Sequence, residues 1–451
     1  MSNDPSANDG KKRRNRKRRS IEDLNLPPGL QEIFTAAVKE AAGKPLSMAP
    51  GSPLGRVIGA FVEHSLKQEL NEHLGYEAHQ RIVPEPEAPP RRSNTRNGYS
   101  QKQLKTSMGS TEIDVPRDRE GSFSPQLLGK HQSMSAEIEG RVISMYAHGM
   151  TTRDIAEHIR ELYHFEASDG FVSRLLERVE PELIAWRSRP LEEVYAIVYI
   201  DAIHLKIRHP NGVTSTAAYI VGGYGESGRH EILGVWIAPS DHSTGHGESA
   251  AFWHMVLVEL NKRGLKRILI ACSDNLNGLS EALAVVFAAT EHLPCVVHQL
   301  RSSLRHVSWT QRKIVARQLK AIYQAPTYES AEMALAAFNQ EYQSRYPEIS
   351  RQWETFLPRI ASLWIYSEAL RRMVYTTNPQ ENVNRQVRKV TKNRSQMPSI
   401  DSALRLLTLA LRDIHNHAIS AERARPDWTK IVCELHIHFP TALPEHWGLR
   451  S

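Results

Sequence analysis

The spacing of apolar residues changes period several times along this chain, and each change predicts an element. From Leu54 to Leu74 they recur at helical spacing (Val57, Ile58, Phe61, Val62, Leu66, Leu70), and Gly75 supplies a stop. Residues 83–93, VPEPEAPPRRS, carry four prolines and read as a linker. The stretch RNGYSQKQLKTSMGSTEIDVPRDREGSF then alternates in short runs, predicting a small hairpin with exposed Arg96, Lys102, Lys105, Arg117 and Arg119. Residues 136–181 predict three helices. AEIEGRVISMYAHG stops at Gly149, TTRDIAEHIRELY starts with a Thr cap and an Asp three positions after Thr151, and SDGFVSRLLERV starts at Ser168. This is the pattern of a helix-turn-helix whose recognition helix would offer Arg174 and Arg178, with Arg153 on the helix before it. Helix pairs of this kind are also generic packing units.

Beyond WRSRPLEE the period shortens. VYAIVYIDAIHLKI, STAAYIVGGYG and EILGVWIA read as three strands of an antiparallel meander. ESAAFWHMVLVELNKRG follows as a helix, RILIACSD as a fourth strand, LNGLSEALAVVF as a helix and LPCVVH as a fifth strand. The order strand-strand-strand-helix-strand-helix-strand is that of a ribonuclease-H-like core, and it sets the ends of the first and fourth strands side by side. Residues 299–370 are helical throughout by pattern, so the core is expected to be interrupted by an all-α insertion. The expected fold class is therefore α+β and multidomain. A tail covers 1–27, a helical and hairpin DNA-binding region 28–125, and the helix-turn-helix region 126–189. The first part of the core covers 190–299, the insertion 300–370, and the final core helices 371–418; residues 419–451 offer no clear element.

Composition sharpens this in one place. The chain has 451 residues, 40% of them apolar and 24% charged, as in ordinary globular proteins. Its net charge of +7 comes from residues 11–19, KKRRNRKRR, with eight cations; the remaining 49 Lys and Arg balance the 50 Asp and Glu. That tail suits sequence-independent, salt-sensitive binding to nucleic acid. Three cysteines (Cys272, Cys295, Cys433) make no disulfide framework, and no apolar run is long enough to span a membrane. With no apolar signal-peptide core at the start, the expected location is the cytoplasm.

Candidate chemistry lies in three carboxylates. Asp201 interrupts one strand run, Asp274 ends another 73 residues on, and Glu381 opens TTNPQENVNRQVRK, which reads as a helix start. A carboxylate in an apolar run is costly to bury unless compensated, and a divalent cation is one compensation. Oxygen ligands from two neighbouring strands and a packed helix suit Mg²⁺ or Mn²⁺. An Asp at a strand end is more commonly a turn or cap residue, and Asp274 could cap a helix from Leu276. Cys295 and His298 could be half of a zinc site, although two further ligands are not evident. Glu248, at a helix front, reads as a dipole-favoured residue. His204 would point away from Asp201. Arg371–Arg394 holds seven cations against Glu381 alone, a one-sign stripe that suits a DNA backbone and includes Arg385, Arg388, Lys389 and Lys392. Trp364 and Tyr375 before it could stack on a base or simply be core.

Several of these segments carry a likeness. RNGYSQKQLKTSMGSTEIDVPRDREGSF, MYAHGMTTRDIAEHI, VSRLLERVEPELIAWRSRPLE and YTTNPQENVNRQVRKVTKNRS resemble, in order and spacing, the Mutator-type bacterial insertion-sequence transposases, from about residue 57 to 415. CVVHQLRSSL is similar to the Cys-x-x-His signature that follows the second Asp in that family, which implies a supporting role for Cys295 and His298. The resemblance implies a DDE triad of Asp201, Asp274 and Glu381 holding two Mg²⁺ (or Mn²⁺) ions about 3.5–4 Å apart. It implies binding to terminal inverted repeats and target DNA, strand cleavage and transfer, at least a dimer on DNA, and association with the bacterial nucleoid. This sequence departs from the pattern at Asn275, where Gly is usual, and at Pro379-Gln380, where Ala-Ile is usual. An end-binding regulator that does not cut is the alternative expectation.

Overall fold

The computed structural model describes residues 27–42, 52–78, 94–106, 109–129, 136–163, 167–238, 249–274, 276–375, 378–421 and 425–447. The basic run 11–19, the Pro-rich linker, Glu248 and Asn275 lie outside the described residues. The chain divides into two compact units. One comprises residues up to Arg141 together with Ala156–Ala167; the other comprises Val142–Ile155 and Ser168 onward.

In the first unit, α1 (Pro28–Ala41) precedes α2 (Pro53–Leu74). The Ser52 side chain accepts from Gly55 N at 3.1 Å to start α2, and Gly75 at φ 78° closes it on Asn71 O at 2.8 Å. The expected hairpin forms from antiparallel β1 (Arg96–Thr106) and β2 (Gly109–Asp118). Leu66 of α2 meets Leu104, Ile113 and Leu128 beneath it. Three cations expected to be exposed on this hairpin are half-buried instead. Arg96 donates to Asn71 Oδ1 at 2.6 Å and Tyr76 O at 2.7 Å and stacks on the Tyr76 ring, so it closes the end of α2. Lys102 donates to Gly129 O at 2.9 Å, and burial lowers the Lys105 pKa. Arg117 and Arg119 are exposed as expected.

The three helices expected over 136–181 are α3 (Ala136–Ala147), α4 (Thr152–Tyr163) and α5 (Asp169–Arg178). Thr151 and Asp154 cap α4 reciprocally, each backbone N–H donating to the other's side chain at 3.2 Å. Ser168 Oγ accepts from Phe171 N to start α5. Arg153, Arg174 and Arg178 are exposed. Helix α6 (Glu180–Arg187) follows.

The second unit is organised by a five-stranded mixed sheet. Its strands are β3 (Val194–His209), β4 (Gly212–Tyr224), β5 (His230–Ile237), β6 (Arg267–Ser273) and β7 (Glu291–Pro294), in spatial order β5-β4-β3-β6-β7. The β3–β4 and β4–β5 pairs are antiparallel, while β3–β6 and β6–β7 are parallel. The meander and the neighbouring first and fourth strands thus stand as the apolar runs predicted. Strand β3 is buried on both sides from Val194 to Ile200 and alternates only beyond Ile203, because its first half lies mid-sheet. Tyr195, Val198 and Tyr219 pack with Phe252, Trp253 and Val256 of α7 (Ala250–Lys262) and Leu283 of α8 (Leu279–Val286).

Four strand residues of the expected fifth strand turn out otherwise. Pairing stops at Pro294, Cys295 N donates to Ser273 O at 2.7 Å, and CVVH enters α9 (Val296–Arg305). The expected insertion is helical: α9, α10 (Arg312–Tyr323), α11 (Tyr328–Tyr342), α12 (Pro347–Arg359), a 3-10 turn at Ala361–Ile365 and α13 (Glu368–Tyr375). Then come α14 (Asn378–Lys392), α15 (Ile400–Ala421) and α16 (Trp428–His438). The last corrects the reading of 419–451 as featureless. Trp428, Ile431, Val432 and Leu435 of α16 are buried in one cluster with Ile197, Tyr199, Leu319, Trp353 and Met373.

Candidate active site

Asp201 and Asp274 come together through strand register. The last parallel pair between β3 and β6 is Ile200↔Ser273, and each carboxylate belongs to the next residue. Helix α8 begins at Leu279 behind Gly278, so Asp274 is not its cap. The third member of the group arrives from α9, whose first turn is anchored by the Cys295–Ser273 bond. His298 Nδ1 contacts Asp274 Oδ1, and its Nε2 lies 3.5 Å from Asp201 Oδ1, so one imidazole bridges both acids. Asp274, Cys295 and His298 place one ligand atom each within 4.8 Å of one another.

Helix α14 docks on the other side. Gln380, Val383, Asn384 and Val387 form its buried face at helical spacing. Gln380 Nε2 donates to Ile220 O on β4 at 3.4 Å, and Asn384 Nδ2 donates to Asp201 Oδ2. Asn384 was absent from the sequence expectations; its signal was its place four residues after Gln380 on an apolar stripe. Glu381, one residue round from Gln380, turns away from that face and pairs with Arg301 on α9. The structure therefore joins Asp201 and Asp274 through His298, and leaves Glu381 paired with Arg301.

Electrostatics mark the pair. Burial raises the Asp201 pKa, the Asp274 charge raises it further, and His298 opposes both. Burial works against the His298 imidazolium, but the hydrogen bond and charge of Asp274 and the charge of Asp201 outweigh it, and its pKa rises. Burial pushes the Cys295 thiol up to about 12.

A cleft of about 770 Å³ opens on this group, lined in part by His204, Asp274, His298, Arg301, Arg305 and Arg388. His204 thus faces the cleft, outside the Asp274–Cys295–His298 group. Of the basic stripe, Arg385, Arg388, Lys389 and Lys392 are exposed along α14. Arg371 instead donates to Ala325 O at 3.0 Å, Arg372 pairs with Glu368, and Arg394 stacks on Tyr146 and donates to Gly149 O. Trp364 donates to Ala325 O and packs on Tyr328, and Tyr375 is buried against Tyr323, so neither is free to stack on a base. An exposed aromatic that pattern reading passed over is Trp309, 81% exposed with the Arg312 guanidinium 5.9 Å from its ring.

Gly222 ties the sheet to α14. A Cβ there would stand 2.6 Å from Gln380 Oε1 and 2.7 Å from His230 Nε2, both buried. Gly222→Ala should cost about 1–3 kcal/mol, the usual range for overpacking, read as a lower denaturant midpoint. A change within about 0.5 kcal/mol, the range of neutral surface substitutions, would show that α14 can move away at no cost.

With Asp201 and Asp274 on adjacent strands and a cleft lined by Asp274 and several arginines, the comparisons with known proteins have a site to refer to. The description "Transposase, Mutator family" matches residues 34–421. A probable transposase for an ISRM3-like insertion sequence element of Sinorhizobium fredii is 35% identical over 84% of this chain and 90% of its own length. The transposase of ISRM3 from Rhizobium meliloti gives the same identity and coverage. The transposase of IS256 in transposon Tn4001 from Staphylococcus aureus is 27% identical over 81% of this chain and 95% of its own length. The chain belongs to the Mutator family of transposases. Among the described residues no helix is long and apolar enough to cross a membrane.

Proposed function

We propose that this transposase binds the terminal inverted repeats of its insertion sequence and cuts and transfers DNA strands on a ribonuclease-H-like core, with Asp201, Asp274 and Glu381 as its DDE carboxylates. The observation that carries the reading is the shared register of Asp201 and Asp274 on adjacent parallel strands, one residue past Ile200↔Ser273. The donors fit the metal expected. Asp201, Asp274 and Glu381 offer only oxygen, which suits Mg²⁺ or Mn²⁺, and a bound cation would relieve the burial and the Asp274 repulsion that act against the Asp201 charge. Bound there, two such ions would activate the attacking water or 3′-hydroxyl and steady the leaving oxygen.

The chain's own residues prepare this. Asn384 fixes one oxygen of Asp201, and His298 holds the other close to Asp274. Arg301, on the cleft lining, pairs with Glu381, and that pair must open for Glu381 to join the two aspartates. Exposed Arg385, Arg388, Lys389 and Lys392 suit a DNA backbone, and α4 and α5, as a helix-turn-helix, would present Arg153, Arg174 and Arg178, with Arg117 and Arg119 as further contacts. Of the hairpin cations, Arg96, Lys102 and Lys105 are placed to brace the fold and leave DNA contact to their exposed neighbours. Two element ends must meet, so at least two copies would act together.

The Arg301–Glu381 pair also favours a second reading, an end-binding protein whose third acid stays occupied and which does not cut. The full chain incubated with duplex carrying its element's ends decides between them. Nicked or cleaved product in Mg²⁺ and none in EDTA is the expected result. Bound but intact ends in both Mg²⁺ and Mn²⁺ would establish the second reading.

The basic tail enters as a non-specific anchor. Deleting residues 1–20 should weaken binding equally for terminal and random duplex, and make the salt dependence shallower as up to eight phosphate contacts are lost. Filter binding across a salt series reads both; a loss confined to terminal sequence would make the tail a reader of bases.

A further inference from the structure

Two residues that sequence alone offers as half of a zinc site gain a third in the folded chain. Cys295 stands at the head of α9, its backbone N–H donating to Ser273 O at 2.7 Å, and His298 follows within the first helical turn. Asp274, the residue after Ser273, completes the group, with one ligand atom from each of the three within 4.8 Å of the others. Among the described residues this is the one cluster of His, Cys, Asp and Glu side chains so placed. An independent feature coincides with it. A cavity of about 10 Å³, room for a single water-sized body, is lined in part by Asp201, Cys272, Asp274, Cys295 and His298. Asp274, Cys295 and His298 also line the open cleft, which gives an ion a way in from solvent. The donor set is one sulfur, one nitrogen and one oxygen. Mg²⁺ favours oxygen alone, whereas thiolate and imidazole together select the zinc class, which can take three protein ligands and leave its fourth position to water.

We propose that Asp274, Cys295 and His298 form a further metal site, for one thiophilic divalent cation of the zinc class. His298 already has the orienting partner such a site requires. Its Nδ1 contacts Asp274 Oδ1, where the ion would enter, and its Nε2 lies 3.5 Å from Asp201 Oδ1. A metal on Nδ1 leaves the Nε2 proton to Asp201, the carboxylate–histidine–metal arrangement that fixes a ligating imidazole. Asn384 in turn holds the other oxygen of Asp201. Binding releases the Cys295 thiol proton and the His298 Nδ1 proton to solvent, and no electron is transferred. The ion thus engages Asp274 by a direct bond and Asp201 through His298. With those two acids read as Mg²⁺ ligands, zinc and Mg²⁺ exclude one another, and the site acts as a brake on strand cleavage. The competition rests on that reading; the binding of a thiophilic ion does not.

The test is a Co²⁺ titration of the full chain, stripped of metal with EDTA and followed by absorbance. One Co²⁺ per chain should bind and give the near-ultraviolet charge-transfer band of a thiolate–cobalt bond. Zn²⁺ should bleach that band, and Mg²⁺ at the same concentration should not. Histidines elsewhere on the surface bind cobalt without such a band, so the signal reads a thiolate. Cys295→Ser should abolish it and His298→Ala should weaken cobalt binding by about tenfold or more. Cys433→Ser, at the one exposed thiol, should do neither. X-ray absorption of the zinc-loaded wild-type chain, which needs no variant, should show one sulfur neighbour at about 2.3 Å. No charge-transfer band, a band that survives Cys295→Ser, or a zinc shell without sulfur would overturn the proposal. Uninhibited cleavage in Mg²⁺ with the site loaded would overturn the brake. Asp201→Asn keeps an oxygen acceptor for His298 and should keep the band, so the two readings fail separately. Cleavage that survives Asp201→Asn sinks the catalytic assignment alone, and an absent band sinks the zinc-class site alone.

Discussion

Asp201→Asn, Asp274→Asn and Glu381→Gln should each lower metal-dependent cleavage of element ends by roughly 10³-fold or more, because each removes charge stabilisation worth several kcal/mol. Binding to the ends should stay within about twofold, since Asp201 and Asp274 are held by His298 and Glu381 by Arg301, and none of the three donates to a phosphate. Folding should not suffer at Asp201. Burial already works against its charge, and a neutral amide removes the repulsion from Asp274. Asn384→Ala should fall between these and wild type, at roughly a 10–100-fold loss, as expected for a residue that orients a ligand. Gel analysis of cleavage beside anisotropy of end binding measures both effects. A variant of any of the three acids that cuts at near wild-type rate in Mg²⁺ would remove that residue from the assignment. Equal defects in binding and cutting would mean that the substitution had disturbed the fold.

What could be read from sequence here follows the length of each periodic run. VYAIVYIDAIHLKI and RILIACSD are long enough to specify strands and, through them, the neighbouring positions of Asp201 and Asp274. Glu381 was legible as a helix-front acid, but its pairing with Arg301 was not, because 80 residues and five intervening helical segments separate the two. Distance along the chain also hides Asn384, which looks like an ordinary polar position until the helices are packed. LPCVVH misled because three apolar residues after a proline fit a strand or a helix start equally well, and only the bond from Cys295 N to Ser273 O decides between them. Arg96 and Lys102 misled in another way. Cations on a hairpin read as exposed, yet a long side chain can lay its stem on the fold and give its head to a backbone carbonyl. In α16 the buried positions Trp428, Ile431, Val432 and Leu435 do follow helical spacing; the His and Pro residues scattered at its end and beyond (His436, His438, Pro440, Pro444, His446) obscured it.

Acid should weaken the second unit well above the pH at which its exposed carboxylates titrate, because two histidines are buried without their protons. His230 on β5 sits against Tyr199 and Tyr224, next to Gln380, and its pKa is lowered to about 4 by burial and then by His415. His415 on α15 accepts from Ile232 N through Nδ1, stands edge-on to Trp186, and is lowered to about 4 by burial and then by Arg189. The unfolded chain takes up protons at these positions near pH 6.5, whereas the folded chain resists them until about pH 4. Stability is therefore full above about pH 6.5 and is lost as pH falls from there toward 4, by about 2 kcal/mol for each imidazole at pH 5. Urea midpoints at pH 7.5 and 5.0 measure the loss. In His230→Gln and His415→Gln the fall between those two pH values should shrink by about that amount, even though each variant starts from a lower midpoint. A pH dependence identical to wild type in both variants would place the acid sensitivity elsewhere. Because Gln380 lies between His230 and Glu381 on α14, the same protonation should loosen the helix that carries the third acid, and cleavage at pH 5 should recover in His230→Gln relative to its own value at pH 7.5.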